Sequence, residues 1–316
     1  MTDVDFLIIG SGAAGLSAAL YGARSGLDTC VLDESVSGGQ AVQIDSLENY
    51  PGVFPAVSGT VLSNLMRTQA EAFGARFVQA AVSSIDKKGD FFYIKTSRED
   101  FRAYSVLVAS GAEHKTLGVE GEREFFGRGV SYCAVCDGPF FRGKTVVVVG
   151  GGDSACTESL FLSKLASRVI LVHRRAEFRA QKVSVDRVMS APNIQVRLNT
   201  VVKKITGGDA GKNGGGVSGV ILSAPDGSAE ETVSADGVFI FAGMKPRTNL
   251  IDFLKKDIGG YIVTDESMAT AVPGLFCAGD IRSKPLRQIV TACSDGAVAA
   301  FSAEKYIDSL KRGESK

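Results

Sequence analysis

Apolar and polar positions alternate along this chain in a repeating plan: a short, unbroken apolar run, a helical pattern, then another short run. Runs of this kind read as parallel strands covered on both faces. Phe6-Leu7-Ile8-Ile9 is the first, followed by a helical pattern over 13–25 that Gly26 closes and a strand over 29–32. The same plan returns as a strand over 145–149, a helix over 153–165 and a strand over 168–172. It occurs twice and no more, so it reads as a duplicated βαβ unit rather than a solenoid. The predicted fold class is α/β, with two Rossmann-like nucleotide-binding domains.

Turn-rich stretches mark where the two domains meet in sequence. Ala109-Ser110-Gly111-Ala112 ends a strand ahead of the turns at 117–121, and Phe239-Ile240-Phe241-Ala242-Gly243 runs into Met244-Lys245-Pro246. The predicted layout is a first domain over 1–115, a second over 116–244 inserted into it, and the first resuming over 245–316. The chain would cross between them near 113–117 and 243–247. The glycine-rich stretch 206–216 predicts a hairpin tip or surface loop, and the charged tail past Gly313 a frayed end.

Composition adds limits rather than a function. A chain of 316 residues, 45% apolar and 22% charged, can bury two cores. Lys+Arg and Asp+Glu both number 35, so no net field favours nucleic acid or an anionic membrane surface. No charged segment followed by an apolar stretch opens the sequence, and no run approaches the ~18 apolar residues of a membrane span. A cytoplasmic setting is the expectation, and there the six cysteines should not build a disulfide framework. Cys30, Cys156, Cys277 and Cys293 sit in apolar patterns and are expected to be small buried hydrophobes.

The two glycine loops carry nucleotide chemistry. In Gly10-Ser11-Gly12-Ala13-Ala14-Gly15, Gly10 allows the turn, Gly12 lets backbone approach a pyrophosphate, and Gly15 permits close helix packing. The helix start then presents its positive end to the phosphates. Asp33, about 20 residues on, is placed to accept hydrogen bonds from a ribose. The second loop, Gly150-Gly151-Gly152-Asp153-Ser154-Ala155, leads instead to His173-Arg174-Arg175 and Arg179. Guanidinium groups there suit a 2′-phosphate, which an acid would repel, so this site is expected to prefer NADPH to NADH. His173 reads as structural or stacking. Two loops imply two nucleotides, and FAD at the first with NADPH at the second makes a hydride-transfer enzyme.

Between the loops lies Cys133-Ala134-Val135-Cys136-Asp137. Zinc would need further ligands, and with two histidines and no second CxxC the sequence offers none. The spacing otherwise reads as coincidence or as a redox dithiol, with a thiol whose pKa such motifs depress. Asp137 would move the proton that the leaving thiolate requires, or cap the next turn. Which cysteine attacks an outside disulfide does not follow from the spacing.

At this point the residues closely resemble the low-molecular-weight thioredoxin reductases, of the class II pyridine nucleotide-disulfide oxidoreductases. The resemblance runs along essentially the whole chain. It is carried by both glycine loops, Gly38-Gly39-Gln40, Glu48-Asn49-Tyr50-Pro51-Gly52, Ala109-Ser110-Gly111-Ala112, Ser131-Tyr132-Cys133-Ala134-Val135-Cys136-Asp137-Gly138, His173-Arg174-Arg175-Ala176-Glu177-Phe178-Arg179, Ala278-Gly279-Asp280 and Arg287-Gln288. It implies a homodimer that passes hydride equivalents from NADPH through FAD to the Cys133–Cys136 disulfide and on to thioredoxin. It implies that Asp280 contacts the flavin ribityl chain, that Gly39, Gln40, Asn49, Ala109, Gly111, Gly279, Arg287 and Gln288 lie around FAD, and that one domain rotates against the other between half-reactions. Phe140, Phe141 and Arg128 are candidates for docking thioredoxin, with the core as the equal alternative for the two rings.

Val42, Gln43, Thr157, Leu286 and Arg247 depart from the family's usual residues, though none removes a catalytic group. Other readings are a reductase of a glutaredoxin-like or peroxiredoxin-linked partner, a variant driven by ferredoxin or NADH, a dithiol oxidase, and a non-catalytic nucleotide sensor. Retention of the dithiol, both loops and the three arginines argues against the last two.

Overall fold

A computed structural model describes residues 1–35, 37–44, 47, 49–208 and 215–313. Glu48 of the sequence motif, most of the glycine-rich 206–216 stretch and the charged tail lie outside the described residues, as does the side chain of Gln43.

The chain begins with strand β1 (Thr2–Ile9), helix α1 (Ala13–Arg24) and β2 (Thr29–Asp33). Helix α2 (Gly59–Ala72) and strands β3 (Arg76–Gln79), β4 (Val82–Lys88), β5 (Phe91–Thr96) and β6 (Phe101–Val108) follow. After β7 (Ala112–His114) come β8 (Val130–Ser131), α3 (Ala134–Asp137), β9 (Thr145–Gly150), α4 (Asp153–Ser163) and β10 (Arg168–Val172). Next are α5 (Lys182–Ser190), β11 (Ile194–Arg197), β12 (Val201–Gly207), β13 (Val217–Ser223), β14 (Glu231–Ser234) and β15 (Gly237–Phe241). The chain ends with β16 (Met244–Pro246), β17 (Leu275–Cys277) and the long helix α6 (Ile289–Lys311).

The chain divides into two compact units, Met1–Glu113 with Lys245–Lys316, and His114–Met244. Strands β7 and β16, which carry the two crossings, pair with each other.

In the first unit the sheet runs β3-β2-β1-β6, all parallel, with β17 parallel to one half of β6 and antiparallel β5 and β4 continuing from its other half. Leu7 pairs with Cys30 on one side and Val106 on the other, and Phe6 to Ile9 are all buried. That burial on both faces explains the unbroken apolar run. Helices α1 and α6 pack on one face beside Phe6, Ile8 and Phe276. Their approach is close because Gly296 has no side chain: a Cβ there would stand 2.1 Å from the Ala14 carbonyl oxygen.

The second unit repeats the plan with a five-stranded parallel sheet, β11-β10-β9-β15-β8, and an antiparallel sheet β12-β13-β14. Val146 to Val149 of β9 are buried, and Phe141 packs edge-on against Phe239, their centroids 5.2 Å apart. Among the described residues, no helix is long and apolar enough to cross a membrane.

Candidate functional site

Each unit places its glycine loop where a central parallel strand, β1 or β9, turns into a helix. In the first unit Gly10 adopts φ 101°, and a Cβ on it would meet the Ala109 carbonyl oxygen at 2.5 Å. A Cβ on Gly15 would stand 1.9 Å from the Gly10 carbonyl oxygen, so only glycine lets α1 start this close to the loop. Gly12 is different: a Cβ there would meet nothing within 4 Å. It is the N-cap of α1 and offers no side-chain acceptor, so no capping side chain meets the amides of the first turn, at Ala13, Ala14 and Gly15. Such an end fits a phosphate.

Asp33 stands at the end of β2, but its carboxylate is engaged within the protein. Oδ2 accepts from the Ser11 amide at 2.7 Å and the Ser11 hydroxyl at 2.6 Å; Oδ1 accepts from the Ser35 amide and hydroxyl at 2.9 and 3.0 Å. These four bonds fill the acceptor sites of a carboxylate. In this structure Asp33 ties the loop to β2.

Several of the other residues expected around the first nucleotide meet in this unit. Gln40 donates from its side chain to the Ala112 carbonyl. Asn49 donates to Gln288 Oε1 at 3.2 Å, tying its loop to the start of α6. Ala109 is buried, and Gly111 and Gly279 both take positive φ, 69° and 79°. The Arg287 guanidinium lies 3.8 Å above the Tyr261 ring, and its Nε is buried without a partner. Asp280 Oδ1 is likewise buried without a hydrogen bond, and burial pushes the carboxyl upward against the pull of Lys284 and Arg287. A buried acceptor and a buried donor without hydrogen bonds call for a polar group to complete them.

In the second unit Gly150 is pinched by Ala155 and the Phe241 carbonyl, while a Cβ on Gly152 would meet nothing within 4 Å. Gly152 caps α4 without a side-chain acceptor, so the turn at Asp153, Ser154 and Ala155 is built like that of α1. Asp153 Oδ1 accepts the Gln181 amide at 2.8 Å. His173 is buried, stacks on Phe178 with centroids 5.5 Å apart, and leaves room only for glycine at 151. Burial and the neighbouring arginines lower its pKa. Arg174, Arg175 and Arg179 are exposed, and none forms an ion pair among the described residues. The Arg179 amide donates to Gly151 O at 2.7 Å, which brings that arginine to the loop.

The dithiol lies at the end of β8 in the same unit. Cys133 and Cys136 form a disulfide with Cα atoms 5.3 Å apart, on the short helical turn α3. Ser131, buried at the strand end, accepts the Cys133 amide at 3.0 Å and fixes where the turn starts. Cys133 is the N-cap: its Sγ accepts the Cys136 amide at 3.2 Å. Asp137 closes the turn, its amide donating to Cys133 O at 3.1 Å.

Three residues that sequence reasoning passed over shape this region. Glu122 is buried and accepts from the amides of Leu117 and Gly118 and from the Tyr132 hydroxyl, at 2.9, 2.7 and 2.7 Å. Tyr132 stacks on His114 at 4.8 Å, and burial together with Glu122 drives its pKa upward. Nothing in the linear order singles out Glu122, because its partners come from both sides of a turn.

Two expectations change with the structure. Phe141 is core, whereas Phe140 is 46% exposed, so only one ring of the pair is available at the surface. Cys30, Cys156 and Cys277 are buried, but Cys293 is half-buried, with Sγ 3.7 Å from both the Tyr50 hydroxyl and the Ala13 carbonyl. It sits where α6 meets the loop carrying Tyr50, and that polar surrounding leaves it short of full burial. Arg128 uses both terminal nitrogens on carbonyls of Gly215 and Glu124, at 3.0 and 2.5 Å.

Two parallel-sheet units, each with an uncapped glycine-loop helix, and a CxxC disulfide turn in one of them define a class: disulfide oxidoreductases that work with nucleotide cofactors. The comparisons with known proteins agree. Residues 4–296 match the family model described as pyridine nucleotide-disulphide oxidoreductase. A thioredoxin reductase of Treponema pallidum is 49% identical over 310 residues, covering 98% of this chain and 99% of that one. One from Listeria monocytogenes is 43% identical over 309 residues, covering 97% and 95%. The crystal structure of thioredoxin reductase from Streptococcus pyogenes superposes with a TM-score of 0.90 at 41% identity, covering 98% and 99%. The chain belongs to the pyridine nucleotide-disulphide oxidoreductase family, among its thioredoxin reductases. That family works with a flavin and a pyridine nucleotide.

Proposed function

We propose that this protein is an NADPH-dependent thioredoxin reductase, with FAD held by the first unit and NADPH and the dithiol by the second. The observation that carries the reading is the Cys133–Cys136 disulfide on a capped turn of the second unit, in a chain 49% identical to a thioredoxin reductase end to end. The catalytic residues are Cys133, Cys136 and Asp137. The FAD-side residues are those named above from Gly10 to Gln288, and the NADPH-side residues run from Gly150 to Arg179.

The groups present fit both cofactors. Gly12 and Gly152 leave space and free amides for phosphates, and the buried Asp280 Oδ1 and Arg287 Nε lack the partners a flavin's polar edge would supply. Bound FAD supplies two-electron transfer between a nicotinamide hydride and a disulfide. Exposed Arg174, Arg175 and Arg179 suit the 2′-phosphate that distinguishes NADPH.

Once the disulfide is reduced, the Cys136 amide stabilises negative charge on Cys133 Sγ, so Cys133 is the attacking thiolate. It attacks one sulfur of the partner's disulfide and releases the other as a thiolate. Cys136 then attacks Cys133 Sγ, which frees the second partner sulfur and restores the Cys133–Cys136 bond. Asp137, at the end of the same turn, is placed to carry protons for the thiolates. The resemblance implies a homodimer, and a cytoplasmic setting is proposed with it; sedimentation of the FAD-loaded protein tests the dimer.

Anaerobic titration of the FAD-loaded protein with NADPH tests the reading. About two equivalents per chain are expected, one for the flavin and one for the disulfide, followed by reduction of added oxidised thioredoxin. A flavin that stays oxidised overturns the nicotinamide assignment. Uptake that stops at one equivalent overturns the dithiol assignment.

A further inference from the structure

We propose that Lys284 and Asp295 are positioning residues of the flavin site, holding the Gly279-Asp280 turn in register for the cofactor. This rests on the reading above that the first unit takes FAD.

The four charges at this place form a connected chain with defined ends. Arg282 donates from Nε to Thr264 Oγ1 at 2.9 Å and from Nη1 to Asp295 Oδ1 at 2.9 Å. Asp295 Oδ2 accepts two more bonds, from the Gly279 amide and from Lys284 Nζ, both at 3.0 Å. Lys284 Nζ also stands 3.6 Å from Asp280 Oδ1. The Lys284 and Asp295 side chains are only 5% and 9% exposed. Thr264 thus fixes Arg282, Arg282 fixes Asp295, and Asp295 fixes both the backbone before Asp280 and the ammonium beside its carboxylate.

The turn has little freedom of its own to hold that place. Gly279 adopts φ 79°, and a Cβ there would stand 3.0 Å from Ala14 Cβ, on the first turn of the helix that follows Gly12. The phosphate-facing helix end and the Asp280 carboxylate are therefore packed against each other through this glycine. A shift of the turn would move Asp280 relative to that helix start. Asp280 Oδ1, buried and without a hydrogen bond, is the acceptor that the arrangement leaves open.

A buried ion pair adds little stability over apolar side chains of the same volume. Its value here lies in geometry: one carboxylate has all its strong partners on the residues that bracket Asp280. Sequence supplies a partial sign, since Asp295 falls on the α6 stripe shared with Ala292, Ala299 and Ala303, where an acid is out of place unless paired.

The test measures FAD affinity of deflavinated protein by flavin fluorescence, for the parent and for Lys284→Met, Lys284→Arg and Asp295→Asn. The melting temperature of each apoprotein and NADPH affinity serve as controls. Lys284→Met and Asp295→Asn should each weaken FAD roughly 10- to 100-fold, the loss that follows when charge-assisted contacts to a ligand's partner are removed. Their double variant should lose no more than the worse single, because both act through one turn. Lys284→Arg should stay within about threefold of the parent, and NADPH affinity should not move. Two results overturn the proposal: Lys284→Met binding FAD within about threefold of the parent, or Lys284→Arg losing as much as Lys284→Met. Should Lys284→Met fail to fold, Asp295→Asn decides by the same threefold limit. A parent that binds no FAD refutes the functional reading instead, so the two failures stay distinct.

Discussion

Changing Arg174 and Arg175 together to alanine isolates the 2′-phosphate contact. Both side chains are exposed and free of ion pairs among the described residues, so the change strands no carboxylate. It should leave stability within about 0.5 kcal/mol. The loss then falls on the ligand. A hydrogen bond to a charged group contributes about 1.5–3 kcal/mol, and exposure argues for the low end. Two contacts give about 3 kcal/mol, or roughly 150-fold in kcat/KM for NADPH. NADH, which lacks the phosphate, should change less than about threefold, because every other contact is shared. The assay is steady-state reduction of a chromogenic disulfide through thioredoxin, run with both nucleotides. Raising the salt concentration should erode the parent's preference and leave the variant's ratio flat. An equal loss for both nucleotides, or a loss under about fivefold for NADPH, would refute the 2′-phosphate argument.

Other outcomes follow from the same geometry. Cys136→Ser should stop thioredoxin turnover, leave NADPH-driven flavin reduction intact and accumulate a mixed disulfide through Cys133, read by mass spectrometry; Cys133→Ser should trap none. Glu122→Ala leaves the partly buried donors of Leu117, Gly118 and Tyr132 without their acceptor. That should cost about 3 kcal/mol and lower the melting temperature by roughly 10 °C in calorimetry. Asp280 has a raised folded-state pKa, chiefly from burial, so the folded apoprotein binds that proton more tightly than the unfolded chain. Its ionisation therefore lowers apoprotein stability as pH rises from the unfolded value, about 4, to the folded one. Apo Asp280→Asn should melt above the parent at pH 7, with the gap closing toward pH 4, while its FAD affinity falls. A parent more stable than the variant throughout that range would reverse the sign of the argument.

The sequence by itself determined the repeated strand–helix–strand plan, because a strand buried on both faces has no choice but an unbroken apolar run. The runs at 6–9 and 145–149 lie within β1 and β9, and the helices that follow start at Ala13 and Asp153. It also gave away the dithiol, since spacing along a turn sets whether two sulfurs can meet. Glycine roles were legible where the clash is local, as at Gly15 against Gly10.

Tertiary structure alone decided what each polar group faces. Asp33 was readable as an acid ending a strand, but only the fold brings Ser11 to one oxygen and Ser35 to the other. Phe140 and Phe141 are adjacent and alike in sequence; Gly237 of β15 makes room for the second ring and not the first. Cys293 shares the apolar helical pattern of Cys156, yet the loop bearing Tyr50 gives it a polar neighbour. The chain from Thr264 through Arg282, Asp295 and Lys284 to Asp280 leaves almost no trace in the linear order. Its members come from a loop, a turn and a helix, and each pairing depends on distances that only packing sets. Periodicity records which face of an element is buried. It does not record which buried donor meets which acceptor, and in this protein the placement of Asp280 depends on that pairing.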